Sequence, residues 1–213
     1  MVFRTALYHI MGYATSSARP THPNGEKIVA MKYEVEQKFP VARLDTLEGK
    51  LSDWGVEVSD PQVELDRYFA HPARDFMQTD EALRIRHKGG SNFITYKGPK
   101  IDPTTKTRHE IELPLEGGET SNADWTRLLE SLGFVPVGEV RKTRRKALIP
   151  WQGRTVEGSL DEVDRLGTFA ELELVVEPEG IEAAKACIAS LAEELGLAGS
   201  ERRGYLQLLL DAD

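Results

Sequence analysis

The stretch Tyr33-Glu34-Val35-Glu36-Gln37-Lys38-Phe39 alternates along its length, which is the pattern of a strand with two unlike faces. Glu34, Glu36 and Lys38 share one face, and Tyr33, Val35 and Phe39 share the other. Directly after it, Leu44, Leu47, Leu51 and Trp54 recur at helical spacing, and Gly55 provides a stop. Val63 to Phe69, Ala82 to His87 and Phe93 to Tyr96 read as three further strands, with Pro72, Gly89-Gly90 and Gly98-Pro99 in the connections. The same succession then restarts. Arg108 to Leu113 alternates as a strand, and Trp125, Leu128, Leu129 and Leu132 mark a helix that ends at Gly133. Val140 to Ile149, Thr155 to Val163 and Phe169 to Val176 are strand-like. A last helix over 181–195 carries Ile181, Ala184, Ile188, Leu191 and Leu195 on one stripe and stops at Gly196. The apolar tail Gly204 to Leu210 is expected to fold back on the body.

The layout is two copies of strand, helix, three strands. About eight antiparallel strands can close on themselves. The expected fold is therefore α+β: an eight-stranded antiparallel β-barrel with helices packed outside, built from two β-α-β-β-β halves. Helices bearing Leu44, Leu47, Trp54, Trp125, Leu128, Ile188 and Leu191 are expected to cover the apolar outer sides of the strands.

Nearly every strand sets formal charges on one side. Glu34, Glu36 and Lys38 share a face, as do Arg84 and Arg86; Arg108, Glu110 and Glu112; Lys142 and Arg144; and Glu171 and Glu173. Lys97 shares a face with Phe93 and Thr95. For any single strand, a polar side turned to water is the simple explanation. Taken together, acids grouped on some strands and bases on others point to a hydrated, charge-lined lumen. Two carboxylates about 5 Å apart repel by roughly 3 kcal/mol at an effective dielectric near 20. Glu34 with Glu36, and Glu171 with Glu173, tolerate this more readily when a divalent cation lies between them. Such a lumen suits a multiply anionic chain, with bases on phosphate oxygens and hard oxygen ligands on Mg²⁺ or Mn²⁺. Arg145 is expected to point away from it.

The chain has 213 residues, enough for one domain or one domain with a tail. Residues 1–30 lack periodicity and contain Pro20, Pro23 and Asn24-Gly25, so they are expected to be a flexible N-terminal extension to a domain over 31–213, with Met31 as an alternative start. Thr5 to Tyr13, interrupted by His9 and Gly12, makes a poor secretory leader. Lys plus Arg is 27 against 35 for Asp plus Glu, a net charge of −8, which argues against nucleic acid and against an anionic membrane as partner. The single cysteine, Cys187, excludes an intrachain disulfide and thiol-based zinc spacings. No apolar run approaches the ~20 residues needed to span a bilayer, and the expected compartment is the cytoplasm. A monomer and a homodimer are both compatible with the sequence.

Glu34-Val35-Glu36-Gln37-Lys38 resembles the Glu-x-Glu-x-Lys signature of the CYTH superfamily, the triphosphate tunnel metalloenzymes. The likeness runs over about residues 32–210 in the family's order. Leu83-Arg84-Ile85-Arg86 resembles its paired-arginine strand, Thr95-Tyr96-Lys97-Gly98-Pro99 its lysine strand and Lys106-Thr107-Arg108-His109-Glu110-Ile111-Glu112 its Arg-x-Glu-x-Glu strand. Lys142-Thr143-Arg144 resembles its Lys-x-Arg strand, and Asp161, then Gly167 and Glu171-Leu172-Glu173, its distal acidic group. Tyr68-Phe69, His71-Pro72, Arg74-Asp75-Phe76, Thr79 to Leu83 and Arg203 to Leu209 look like segments of class IV adenylyl cyclase-like members. The resemblance implies a tunnel that binds a triphosphate with Mg²⁺ or Mn²⁺. It implies Glu34, Glu36, Asp161, Glu171 and Glu173 as metal ligands, and Lys38, Arg84, Arg86, Lys97, Arg108, Lys142, Arg144 and Arg203 as phosphate ligands. Glu110 and Glu112 match the motif with an open role, as site residues or as structural ion pairs to the basic strands.

Two reactions use such a lining. In one, the ribose 3′-hydroxyl of ATP attacks the α-phosphorus and releases pyrophosphate; in the other, water attacks the terminal phosphorus of ATP, thiamine triphosphate or inorganic triphosphate. The cyclase-like reaction is the leading reading, with triphosphatase as the alternative and a non-catalytic polyphosphate- or nucleotide-binding module as the third. Lys38, with Glu34 and Glu36, is a candidate for the catalytic group, as a proton acceptor or water-orienting side chain whose pKa Arg84 would lower, or as a plain phosphate ligand. His71, His87 and His109 form no metal spacing, and Cys187 reads as a small buried apolar residue.

Overall fold

The computed structural model describes residues 32–212; the extension expected over 1–30 and the start at Met31 lie outside them. Eight strands appear where alternation places them: β1 Tyr33–Pro40, β2 Gln62–Ala70, β3 Ala82–Lys88, β4 Ser91–Lys97, β5 Arg108–Leu115, β6 Val135–Trp151, β7 Arg154–Val163 and β8 Gly167–Val176. All pairs are antiparallel and the sheet closes in the order β1-β5-β4-β3-β2-β6-β7-β8, with β8 on β1. Exchanging β1 with β5, β2 with β6, β3 with β7 and β4 with β8 reproduces the same ring. The barrel is thus two β-α-β-β-β halves about a pseudo-twofold axis.

The helices lie outside. α1 (Leu44–Asp53) buries Leu47 and Leu51, and α4 (Ile181–Leu195) buries Ala184, Ile188, Leu191 and Leu195, against the outer residues Val35, Ile149, Leu160 and Leu172. Each is stopped by a glycine with positive φ that a side chain would strain, Gly55 at 71° and Gly196 at 73°. α3 (Glu119–Ser131) seats Leu129 and Trp125 beside Phe69, Leu83 and Ile85.

The outer cover is less complete than expected. α3 packs on β3 and β6, so its residue Leu128 stays 45% exposed, and Ile111 and Leu113 on the outer face of β5 are exposed too. Trp54 is also half-exposed and stacks on Trp151, with ring centroids 5.7 Å apart. Arg145 points outward, to Glu48 of α1, as expected.

Two helical segments have no periodic signal. α2 (Phe76–Thr79) is a single turn capped by Asp75, whose Oδ1 accepts from the backbone N–H groups of Met77 and Gln78. The tail expected to fold back forms α5 (Tyr205–Ala212). It lies on Val140, Val163 and Phe169, which have the inward parity of their strands, so Tyr205 and Leu209 cover part of one barrel end with an apolar seal.

Candidate active site

Only every second residue of a strand points into the barrel, so the alternation read along each strand becomes two walls. Glu34 and Glu36 of β1, Glu171 and Glu173 of β8 and Glu157 of β7 come from three adjacent strands and form an acidic wall. Arg108 of β5, Lys97 of β4, Arg84 and Arg86 of β3, and Lys142, Arg144 and Lys146 of β6 form the basic side. Together they line a cavity of about 320 Å³. Carboxylates and cations are equal in number around it. A bare polyanion would meet little net attraction there, whereas a polyanion carrying a divalent metal is complementary to both walls.

Two buried acids hold the basic side. Asp66 of β2 accepts from Arg86 Nε at 2.6 Å and Nη2 at 2.8 Å, from Arg84 Nη1 at 3.2 Å and from Lys142 Nζ at 3.0 Å. Burial opposes its ionisation, but Arg84, Lys142 and Arg86 outweigh burial and hold it well below the usual carboxylate range. Glu64, fully buried, lies 3.1 Å from Lys142, 3.2 Å from Lys88 and 3.4 Å from Arg86, without hydrogen-bond geometry to any of them. Its pKa is likewise lowered, by Arg86 and Lys142 against burial. Glu64 and Asp66 are absent from the residues singled out in the sequence. Their signal was present, because Val63-Glu64-Leu65-Asp66 alternates and puts both acids on one face.

The acidic wall is held by lysines. Lys97 Nζ donates to Glu34 at 3.2 Å and to Glu110; Lys106 donates to Glu36 and lies 3.9 Å from Glu171; Lys146 donates to Glu157. Lys106 precedes β5 in a connecting segment, so no strand pattern marks it; its backbone N–H donates to Glu36 O at 2.9 Å and fixes its approach. Burial raises the pKa of Glu36 and Lys106 lowers it, with lowering the net result. Burial opposes ionisation of Glu110 too, and Lys97 brings it down to about 2. Glu110 and Glu112 thus both pair with basic strands, Glu112 through Thr95 Oγ1 at 3.0 Å and Arg84 Nη2 at 3.9 Å.

Glu173 differs. It has no ion pair among the described residues, and burial with the charges of Glu34 and Glu36 pushes its pKa up to about 9. Glu36 and Glu157 are its cross-strand neighbours on either side. No group of three or more acids among the described residues already stands in metal-holding geometry. The donor set nevertheless fits Mg²⁺ or Mn²⁺: Glu34, Glu36, Glu157 and Glu173 set hard carboxylate oxygens on one wall of the cavity, whereas Glu171 on the same wall is taken up by Arg144. On the other side Arg108 Nε is buried without a hydrogen-bond partner, a donor still available to an anion.

Three residues expected in the site stand apart from the cavity. Asp161 is buried with both oxygens engaged, by Arg144 at 2.6 and 2.5 Å and by Tyr205 Oη at 2.8 Å, and so orients Arg144. Lys38 is fully buried at the sealed end, its Nζ donating to Arg203 O at 2.5 Å and lying 4.0 Å from the centre of the Tyr205 ring. Its pKa falls to about 7 through burial and Lys106, in place of the Arg84 effect expected. The Arg203 side chain turns outward to Glu201 at 2.6 Å and Asp211 at 2.9 Å.

The CYTH domain family matches residues 32–205 of this chain. A Methanocaldococcus jannaschii protein named "Putative adenylate cyclase MJ0240" is 39% identical over 140 residues, covering 66% of this chain and 75% of that protein. The solved structure of the PH1819 protein from Pyrococcus horikoshii OT3 is 42% identical, with a TM-score of 0.74 over 84% of this chain and 99% of that one. HpAC1 from Hippeastrum, for which a dominant triphosphatase activity is stated, shares the fold at 20% identity and a TM-score of 0.56, over 82% of this chain and 91% of that one.

Proposed function

This chain belongs to the CYTH domain family, and on that premise we propose that its barrel is a metal-dependent active site for a triphosphate, cyclising ATP to cyclic AMP and pyrophosphate. The observation that carries the reading is the division of one cavity into an acidic and a basic wall. Arg84, Arg86, Lys97, Arg108, Lys142 and Arg144 bind phosphate oxygens, and Glu34, Glu36, Glu157 and Glu173 would hold Mg²⁺ or Mn²⁺. The metal, when bound, supplies charge neutralisation at the phosphates. Glu64, Asp66 and Asp161 act from behind, fixing the guanidinium and ammonium groups before substrate arrives.

In the cyclisation, the ribose 3′-oxygen forms a bond to the α-phosphorus while the bond from that phosphorus to its bridging oxygen breaks, and pyrophosphate leaves. The hydroxyl proton passes to a cavity carboxylate. Lys38 does not reach substrate from behind Tyr205 and serves to shape the sealed end. Hydrolysis of the terminal phosphate needs the same two walls. Purified protein incubated with ATP and Mg²⁺ or Mn²⁺ tests the reading: cyclic AMP with pyrophosphate supports it, ADP with phosphate replaces it by hydrolysis, and binding without turnover removes catalysis from it.

A further inference from the structure

Lys106 is neither a metal ligand nor one of the cations given to the phosphates above, yet it lines the charged cavity. Its ammonium rests on Glu36, a carboxylate that fits the metal, and lies 3.9 Å from Glu171. This contact is unlike the one between Lys146 and Glu157, whose side chains are each about one-third exposed and screened by water. The side chains of Lys106 and Glu36 are 6% and 7% exposed, and a carboxylate buried that far needs a counter-charge. Before a metal binds, Lys106 supplies it.

The main chain that carries Lys106 is fixed. Besides the bond from its own N–H to Glu36 O, Ile101 N–H donates to Thr107 O at 2.9 Å. Asp102 Oδ1 accepts from the backbone N–H groups of Thr104 and Thr105, both at 2.8 Å, and Asp102 Oδ2 accepts from Lys185 Nζ of α4 at 2.5 Å. The freedom left to Lys106 is therefore in its four-carbon stem. The nearest other acids are already engaged, Glu171 by Arg144 and Glu34 by Lys97. A lysine that gives up Glu36 faces the open cavity, where its three N–H donors suit an anion.

We infer that Lys106 is a counter-ion with two successive partners: it holds Glu36 until a divalent cation takes that carboxylate, and it then donates to a phosphate oxygen of the bound triphosphate. The inference rests on the triphosphate reading and deepens it. Metal and substrate are coupled through this one side chain, because Lys106 opposes metal binding in the absence of substrate and strengthens substrate binding once metal is present.

The test measures binding to the full chain in two steps. Mn²⁺ is titrated alone, with free Mn²⁺ read by electron paramagnetic resonance, and inorganic tripolyphosphate is then titrated at saturating Mg²⁺. Lys106→Met is expected to bind Mn²⁺ tenfold or more tightly than wild type, and to bind tripolyphosphate fivefold or more weakly at saturating Mg²⁺. Lys100→Met removes the same charge from the same cavity, but Lys100 is paired with Asp80 at 2.6 Å and touches no metal ligand. It is expected to leave Mn²⁺ affinity within twofold. Lys106→Gln repeats the measurement should Lys106→Met lack a cooperative melting transition. Unchanged or weaker Mn²⁺ binding without Lys106 overturns the inference, because Lys106 then only holds Glu36 in place. Equal tightening in Lys100→Met overturns it in favour of a general field effect, and unchanged tripolyphosphate affinity removes the second partner; each of these leaves the triphosphate site standing. Failure of wild type to bind either Mn²⁺ or tripolyphosphate overturns both.

Discussion

Replacing Asp66 by Asn keeps the size of the side chain and removes one charge from the centre of the basic side. Asp66 is fully buried and meets Arg86 at 2.6 and 2.8 Å, Lys142 at 3.0 Å and Arg84 at 3.2 Å. Near 3 Å, at an effective dielectric of 20, each contact carries about 5 kcal/mol of attraction. Desolvation of the buried ions cancels most of that, and removing one partner of a buried charge cluster costs about 3–5 kcal/mol net. For a domain of this size, that lowers the melting temperature by about 6–20 °C. Calorimetric melting at pH 7 reads this directly. Added tripolyphosphate should recover more stability in the variant than in the wild type, because its oxygens supply the negative charge that the neutral amide lacks and Arg84, Arg86 and Lys142 are then free to bind them. A melting temperature within about 2 °C of wild type would refute the reasoning, since it corresponds to less than about 1 kcal/mol. It would mean that the basic strands do not depend on a buried counter-ion.

Three further outcomes are expected. Glu34→Gln should cut metal-dependent turnover about 100-fold or more, the rate equivalent of about 2.7 kcal/mol of transition-state stabilisation, with little change in melting temperature because Lys97 retains Glu110; full activity in this variant would remove Glu34 from the metal site. Acid titration should distinguish wild type from Asp66→Asn. Asp66 and Glu64 have folded pKa values below their unfolded ones, so the stability they contribute is complete above about pH 4.5 and is lost as pH falls below it; the variant's melting curve should be flatter between about pH 5 and 2, and parallel curves would contradict the assignment. Arg84→Ala should weaken tripolyphosphate binding more than monophosphate binding, whereas Arg203→Ala, whose side chain faces Glu201 and Asp211 outside the cavity, should leave tripolyphosphate affinity within about twofold; the reverse ranking would place Arg203 in the site.

Much of this architecture is written in local pattern. Period two in Glu34-Val35-Glu36-Gln37-Lys38 and Arg84-Ile85-Arg86 follows from the pleat itself, so strands and their charged faces are legible residue by residue. Helical spacing closed by Gly55 and Gly196 marks α1 and α4 just as directly. Closure of the strands into a ring then follows from eight two-faced strands that each need one side covered.

What parity cannot supply is depth along the barrel and the partner across it. Lys38 shares a face with Glu34 and Glu36, yet register carries it past the cavity to the end that Tyr205 seals. Asp161 has the parity of a lumen ligand, but Arg144 opposite it on β6 and Tyr205 from α5 take both its oxygens. Lys106 reaches Glu36 from a connecting segment, and the bulge that leaves Val137 unpaired exists only where β2 and β6 meet. Alternation and helical spacing are properties of a residue and its chain neighbours, and so the sequence alone determined the strands, the helices α1, α3 and α4, and the charged faces. Which charges neutralise one another, which face substrate and which are buried behind them depend on residues far apart in the chain, and only the closed barrel brings those together.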